Sequence, residues 1–305
     1  MIREKIEEIK GGLHISSDAS IDYLPKQRVD GFIFTATGTL CKLEYKDIAN
    51  RGAHGIIQKA IRYTQKGAGT VIAVKRPRTP SQDLVLEGVV QALAAHTVIQ
   101  EGLLGAIPVI HNIFIFANEV RIAMDWIEGT SCGEYLRGKS EREILDVIIQ
   151  IAIILDCLER RIQLDHRDLK LDNIWIREAP VSYRIELENG KYVNYNSKFQ
   201  VVILDFGFAC IGADYKKMLY NLGGVVPDID YCPKVGRDMY HIISRLLERR
   251  DVHDSLSPSL RALFIEWMKP YTVHPSPITH LITSDLNFGV KALRPGTILR
   301  WFFSR

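Results

Sequence analysis

Between His166 and Asn173 the chain reads His-Arg-Asp-Leu-Lys-Leu-Asp-Asn, and Asp205-Phe206-Gly207 follows further on. Asp168 is a carboxylate that can orient a hydroxyl, and Lys170 places a cation two residues away. Asn173 and Asp205 add an amide oxygen and a carboxylate oxygen, the donor types that suit magnesium. An orienting carboxylate, a fixed cation and oxygen ligands for a metal fit the transfer of a charged group to a hydroxyl. That chemistry needs positive charge held in place where negative charge develops.

Such a set must be carried on a scaffold of some size. The chain has 305 residues, enough for one large domain or two lobes. With 47% hydrophobic and 25% charged residues it has the composition of an ordinary globular protein. A net charge of +3 is too small to argue for nucleic acid or a membrane surface as partner. The five cysteines, Cys41, Cys132, Cys157, Cys210 and Cys232, form no C-x-x-C pair and read as free thiols in a reducing compartment. Met1 to Lys10 is charged and amphipathic, unlike a secretory signal. The longest apolar run, Val147 to Leu158, holds Gln150 and Asp156 and is too short to span a bilayer. The expectation is an intracellular protein, cytoplasmic or nuclear.

The pattern changes character along the chain. Residues 1–30 read as a short helix and then loop, an N-terminal extension. From Gly31 the signal is strand-like: Phe32 to Phe34 and Leu40 to Tyr45 flank a turn, and Val71 to Val74 end at Lys75. Leu84 to Val98 has helical spacing, and Val109 to Phe116 with Val120 to Met124 makes another hairpin. Beyond Gly129 the chain becomes helix-rich, with Glu141 to Arg161, Met239 to Glu248 and Pro258 to Met268. Tyr183 to Glu186 and Tyr192 to Tyr195 flank Glu188-Asn189-Gly190, a hairpin insertion at about 180–199 expected to project from the surface. The fold class is α+β, sheet-rich over 31–127 and helix-rich over 128–305.

These motifs resemble the eukaryotic-type protein kinase superfamily over about residues 45 to 245, with an overtone of the kinases of large DNA viruses. The resemblance implies a two-lobed kinase-like fold, with an antiparallel sheet and one main helix in the first lobe and a mostly helical second lobe. It implies ATP and Mg2+ as cofactors, with Mn2+ as a substitute, and a protein hydroxyl as acceptor. Asn50 to Ile57 is similar to the glycine-rich loop, with Gly52, Gly55 and Ile57 against the nucleotide and Asn50 where the family has its first glycine. Ala73 and Lys75 match the strand that carries the phosphate lysine, and Glu87 is its expected ion-pair partner, Glu101 the fallback. Met124 falls at the gatekeeper, and Asp125, Trp126 and Ile127 at the hinge whose backbone meets the adenine edge. Asp168 is then the catalytic base or orienter, Lys170 the cation on the transferring group, and Asn173 and Asp205 the metal ligands.

Several residues depart from the family pattern. Gln91 stands one helical turn after Glu87, where an apolar residue is usual. Trp175 replaces an aliphatic residue beneath the adenine. From Asp205 to Pro233 there is no serine or threonine, so only Tyr215, Tyr220 and Tyr231 could carry an activating phosphate, and no Ala-Pro-Glu is found. Val235 to Tyr240 resembles the start of the central helix, with Asp238 holding the catalytic-loop backbone, and Ala292 to Leu299 echoes the last helix. Lys170 follows the serine/threonine pattern. The expected function is an ATP-dependent protein kinase that transfers the γ-phosphoryl group to a protein hydroxyl of Ser/Thr type without Ser/Thr activation-loop phosphorylation, with tyrosine or dual specificity left open. The alternatives are a pseudokinase scaffold and a kinase for a small molecule or lipid.

Overall fold

Apolar residues that alternate along a strand face opposite sides of a sheet, and this chain uses both sides in its first unit. In the computed structural model the described residues are 2–52, 55–64, 67, 69–78, 84–187, 190–214, 217–221, 236–268 and 293–304. Ala53, His54, Glu188, Asn189, Tyr215, Tyr231, Val235 and Ala292 lie outside them, as do the side chains of Asn50, Arg51 and Tyr220. The chain divides into two units, Met1–His96 with Pro108–Ile127 and Thr97–Ile107 with Glu128–Arg305.

The first unit contains α1 (Ile2–Gly12), β1 (Lys26–Gln27), β2 (Phe32–Thr35), β3 (Gly38–Gly52), β4 (Gly55–Tyr63), β5 (Thr70–Arg76), α2 (Leu84–Gln100) as far as His96, β6 (Ile110–Phe116) and β7 (Glu119–Asp125). The strands close into a barrel in the order β1-β2-β3-β4-β5-β7-β6. The sequence reading anticipated an antiparallel sheet, with residues 1–30 as helix and loop outside it. Instead β1 pairs antiparallel with β2 and, through Lys26 and Ile115, parallel with β6. Register shifts between Tyr45 and Ile48 and between Ile48 and Asn50 mark irregularities in β3, which bend a strand towards closure. Ile33, Cys41, Leu43, Ala60, Ile72, Val74, Phe114 and Ala123 form one buried cluster of this unit.

Residues of the opposite parity on β5, Ala73 and Lys75, lie on the other side of that strand. Among the buried residues of α2 are Leu84, Val85, Val89, Val90, Leu93 and Ala94. At Gly88 a Cβ would come 2.4 Å from the tip of the Ile113 side chain on β6, which would then have to shift. The β6–β7 turn places both Ala117 (φ 50°) and Asn118 (φ 63°) in the left-handed region, as a two-residue type I′ hairpin demands.

The second unit holds β8 (Thr130–Ser131), α3 (Cys132–Tyr135), α4 (Glu141–Ile162), β9 (Leu164–Asp165), a 3-10 turn at Leu171–Asn173, β10 (Ile174–Arg177), β11 (Val181–Glu186), β12 (Tyr192–Ser197) and β13 (Gln200–Ile203). After these come β14 (Cys210–Asp214), β15 (Lys217–Asn221), α5 (Arg237–Glu248), α6 (Arg250–Ser255), α7 (Pro258–Met268) and α8 (Pro295–Phe303). Three small sheets, β13-β10-β8, β11-β12 and β15-β14-β9, lie among the helices. The helix α4 starts with a capping box, in which Ser140 and Glu143 satisfy each other's backbone N–H groups. Its buried Gln150 donates to Phe199 O (3.1 Å) and accepts from Val201 N (2.9 Å), so a polar residue inside the apolar run ties the helix to the β13 segment.

The β11–β12 hairpin does not project freely. Tyr183, Ile185, Leu187 and Tyr195 are buried, and the Tyr195 hydroxyl donates to the Asp146 carboxylate on α4. Ser197 Oγ reaches the same carboxylate at 2.6 Å, and the Tyr195 ring meets Phe303 of α8 edge-on. Cys41, Cys132 and Cys157 are buried free thiols, whereas Cys210 is disulfide-bonded, which corrects its reading as a free thiol. Among the described residues no helix is long and apolar enough to cross a membrane.

Candidate active site

In the first unit, β5 is held between β4 and β7, with Lys75 opposite Ile57 and Ile122. Lys75 Nζ donates to Glu87 Oε1 at 2.5 Å, and the two side chains are only 5% and 2% exposed. Glu101 pairs instead with Arg161, at 2.9 Å. Gly55, at φ 152°, sits against the lysine stem, where a Cβ would come 2.9 Å from Lys75 Cε. Gly52 and Gly55 face each other across the β3–β4 hairpin. The sequence-predicted residues Gly52, Gly55, Ile57, Ala73, Lys75 and Glu87 are therefore carried on three adjoining strands and the helix beside them.

Gln91 is buried one turn after Glu87. Its Nε2 donates to Pro108 O at 3.0 Å and lies 3.5 Å from Met124 Sδ. The helix keeps the expected register, and an amide bonded to the backbone stands where apolar packing was anticipated. The Asp125 N–H donates to Val109 O, and its carboxylate accepts from Val109 N, both at 3.0 Å. That N–H is thus used within the protein. Lys59, which sequence reasoning passed over, places its ammonium 4.6 Å from the ring centre of Trp126.

In the second unit, the loop after β9 is built on α5. Asp238 accepts the His166 N–H on Oδ2 (2.7 Å) and the Arg167 N–H on Oδ1 (3.0 Å). Arg167 has φ 68°, a strained value for a non-glycine residue that these two bonds help to impose. Asp168 Oδ2 receives Lys170 Nζ at 2.7 Å and Asn173 Nδ2 at 3.0 Å, and Asn173 Nδ2 also bonds Asp168 O at 2.8 Å. β10 and β13 pair Ile174 with Ile203, and Leu204 N donates to Asn173 O at 2.9 Å. That pairing brings Asn173 alongside the residue preceding Asp205, which itself has φ 62°. Phe206 is fully buried against His166, with ring centres 4.9 Å apart. Trp175 is half-buried on β10, opposite Val202 and Ser131.

Burial lowers the His166 pKa, so the ring is neutral near pH 7, and its Nε2 is bonded to Leu204 O at 2.9 Å. Burial also pushes the Asp238 carboxyl up, with the Asp165 charge adding to it, while the two accepted N–H groups and Arg237 pull the other way.

A family model described as "Haspin like kinase domain" matches residues 127–222, the stretch that contains Asp168, Lys170, Asn173 and Asp205. The chain is also 25% identical over 100 residues to "Probable kinase 098L" of Invertebrate iridescent virus 3. This match covers 32% of the chain and 19% of the viral protein. The chain is a divergent protein-kinase-like protein. Lys75 and Glu87 lie outside the family match, so their place in this kinase-like chain rests on the geometry above.

Magnesium would fit the donor set. Among the described residues no group of three or more His, Cys, Asp or Glu side chains could hold a metal. Mg2+ is commonly bound by one or two carboxylates, with substrate phosphates and waters completing its shell. The bonds made by Asn173 Nδ2 to Asp168 commit the amide nitrogen and leave the amide oxygen as the ligand atom. Two contributors in this kinase-like chain went unread in the sequence, Asp165 and Arg237, which form a buried pair at 3.2 Å. Their separation along the chain is too large for spacing to relate them.

Proposed function

We propose that the protein is an ATP- and Mg2+-dependent protein kinase that transfers the γ-phosphoryl group to a protein hydroxyl of serine or threonine. The observation that carries this reading is the Asp168 carboxylate, held by Lys170 and Asn173 on a loop whose backbone is clamped by Asp238. In this reading the two units correspond to the two kinase lobes. Lys75, paired with Glu87, binds the α and β phosphates. Asn173 and Asp205 hold magnesium, which supplies positive charge on the β and γ oxygens when bound. Asp168 orients the acceptor hydroxyl and takes up its proton as the new O–P bond forms and the bond to the bridging oxygen of ADP breaks. Lys170 offsets charge on the group in transit.

The serine/threonine preference rests on the resemblance carried by Lys170. Independence from Ser/Thr phosphorylation draws on two facts. The segment from Asp205 to Pro233 has no serine or threonine. Its β14 is already paired with both β9 and β15.

Labelled ATP, Mg2+ and myelin basic protein test the reading with unphosphorylated recombinant protein. Transfer is expected, and Asp168→Ala should lower it by about 10²–10⁴-fold, the usual contribution of a positioned base. Absence of both transfer and a thermal shift with Mg-ATP would point to a scaffold. Transfer only to small hydroxyl compounds would exclude a protein acceptor, and activity appearing only after treatment with an upstream kinase would exclude independence from phosphorylation.

A further inference from the structure

Asp165 and Arg237 form an ion pair at 3.2 Å with both side chains 3% exposed. Burying two charges is costly, and apolar side chains of similar volume would join β9 to α5 at less expense. The positions of the two residues give the pair its meaning. Asp165 immediately precedes His166, and Arg237 immediately precedes Asp238, which already binds the His166 and Arg167 N–H groups. The first turn of α5 therefore grips 165–167 at three successive residues, once by a side chain and twice by backbone.

We propose that Arg237 is a positioning residue for Asp168: as counter-charge to both Asp165 and Asp238, it holds 165–167 in the strained conformation that presents the catalytic carboxylate. The kinetic part rests on the reading as a kinase, while the structural part does not. Without Arg237, the buried Asp165 and Asp238 carboxylates lose the positive charge that acts on both, and one must take a proton or move towards water. Asp238 uses both of its oxygens as acceptors, so a proton on either removes a bond to the loop. Asp165 lies on a strand already paired with β14, so the strain of readjustment falls on the loop beyond it.

The test compares wild type with Arg237→Met, Asp165→Leu, the Asp165→Leu/Arg237→Met pair and Arg237→Lys. Two readouts are taken on the full chain: hydrogen exchange of the 164–168 segment, and kcat and KM for ATP with myelin basic protein. Arg237→Met should speed exchange and lower kcat by roughly 100-fold, as expected for one charge of a buried pair left alone, with KM for ATP within about 2-fold. Asp165→Leu should be milder, because Arg237 keeps Asp238. Removing both charges should return exchange and kcat to within about 5-fold of wild type, and Arg237→Lys should restore part of both. Wild-type behaviour of Arg237→Met overturns the proposal, and so does a double variant as damaged as the single one. If Arg237→Met does not fold, the double variant decides by the same limits. If the wild type transfers no phosphate, the kinase reading falls while the exchange data still judge the latch.

Discussion

Asp168 shows what a single residue owes to its neighbours. Its partners Lys170 and Asn173 lie within five positions, so local chain geometry suffices to gather them, and they could be read directly from the sequence. Lys75 and Glu87 were also legible, as a strand-ending lysine and the glutamate on the helix that follows. Their 2.5 Å approach joins β5 to α2, and Gly88 next to Glu87 packs against Ile113 of β6. Glu87→Gln keeps the shape and removes the charge. It should lower kcat/KM for ATP by about 10–100-fold, the worth of a hydrogen bond between charged groups, and depress the melting temperature because Lys75 stays buried. An unchanged kcat/KM would remove Lys75 and Glu87 from the nucleotide site. The left-handed backbone at Arg167 had no sequence signal, and at Asp205 the only signal was that aspartate tolerates it better than most residues.

Elements are where the sequence reading and the structure diverge most. Strands with a two-residue period were found near their observed bounds, but β1 is only Lys26 and Gln27, too short to show any period. The barrel closes through that strand, so closure was not legible. The β11–β12 hairpin was legible as a hairpin but not as a packed one. Alternation along β11 buries Tyr183 and Ile185, and this side is covered only because Asp146 of α4 and Phe303 of α8 stand beside β12. Tyr195→Phe removes the hydroxyl donated to the Asp146 carboxylate. It should cost about 1.5–3 kcal/mol, read as a lower urea midpoint at constant slope. Stability equal to wild type would mean that the hairpin is held by its apolar face alone.

For the whole molecule, buried titratable groups make stability depend on pH. Burial pushes the His241 pKa down to about 3, with Arg245 and Arg237 adding to the effect. Below pH 6.5 the unfolded chain therefore takes up a proton that the folded chain refuses, and this contribution to stability is lost as pH falls towards 3. The raised pKa of Asp238 works in the opposite sense, so a comparison with His241→Phe isolates the histidine. The loss of unfolding free energy between about pH 7.5 and pH 5 should be smaller in the variant by roughly 1–2 kcal/mol, measured by urea denaturation at both values. Equal losses would show that His241 is not held neutral. Taken by itself, the sequence determined the chemistry of the candidate site and the type of most elements, because those follow from residue identity and short-range periodicity. The tertiary structure alone decided which distant residues meet. Pairing Asp165 with Arg237, seating Asp238 on the loop and closing the barrel through β1 all join positions many residues apart, and no local pattern encodes such contacts.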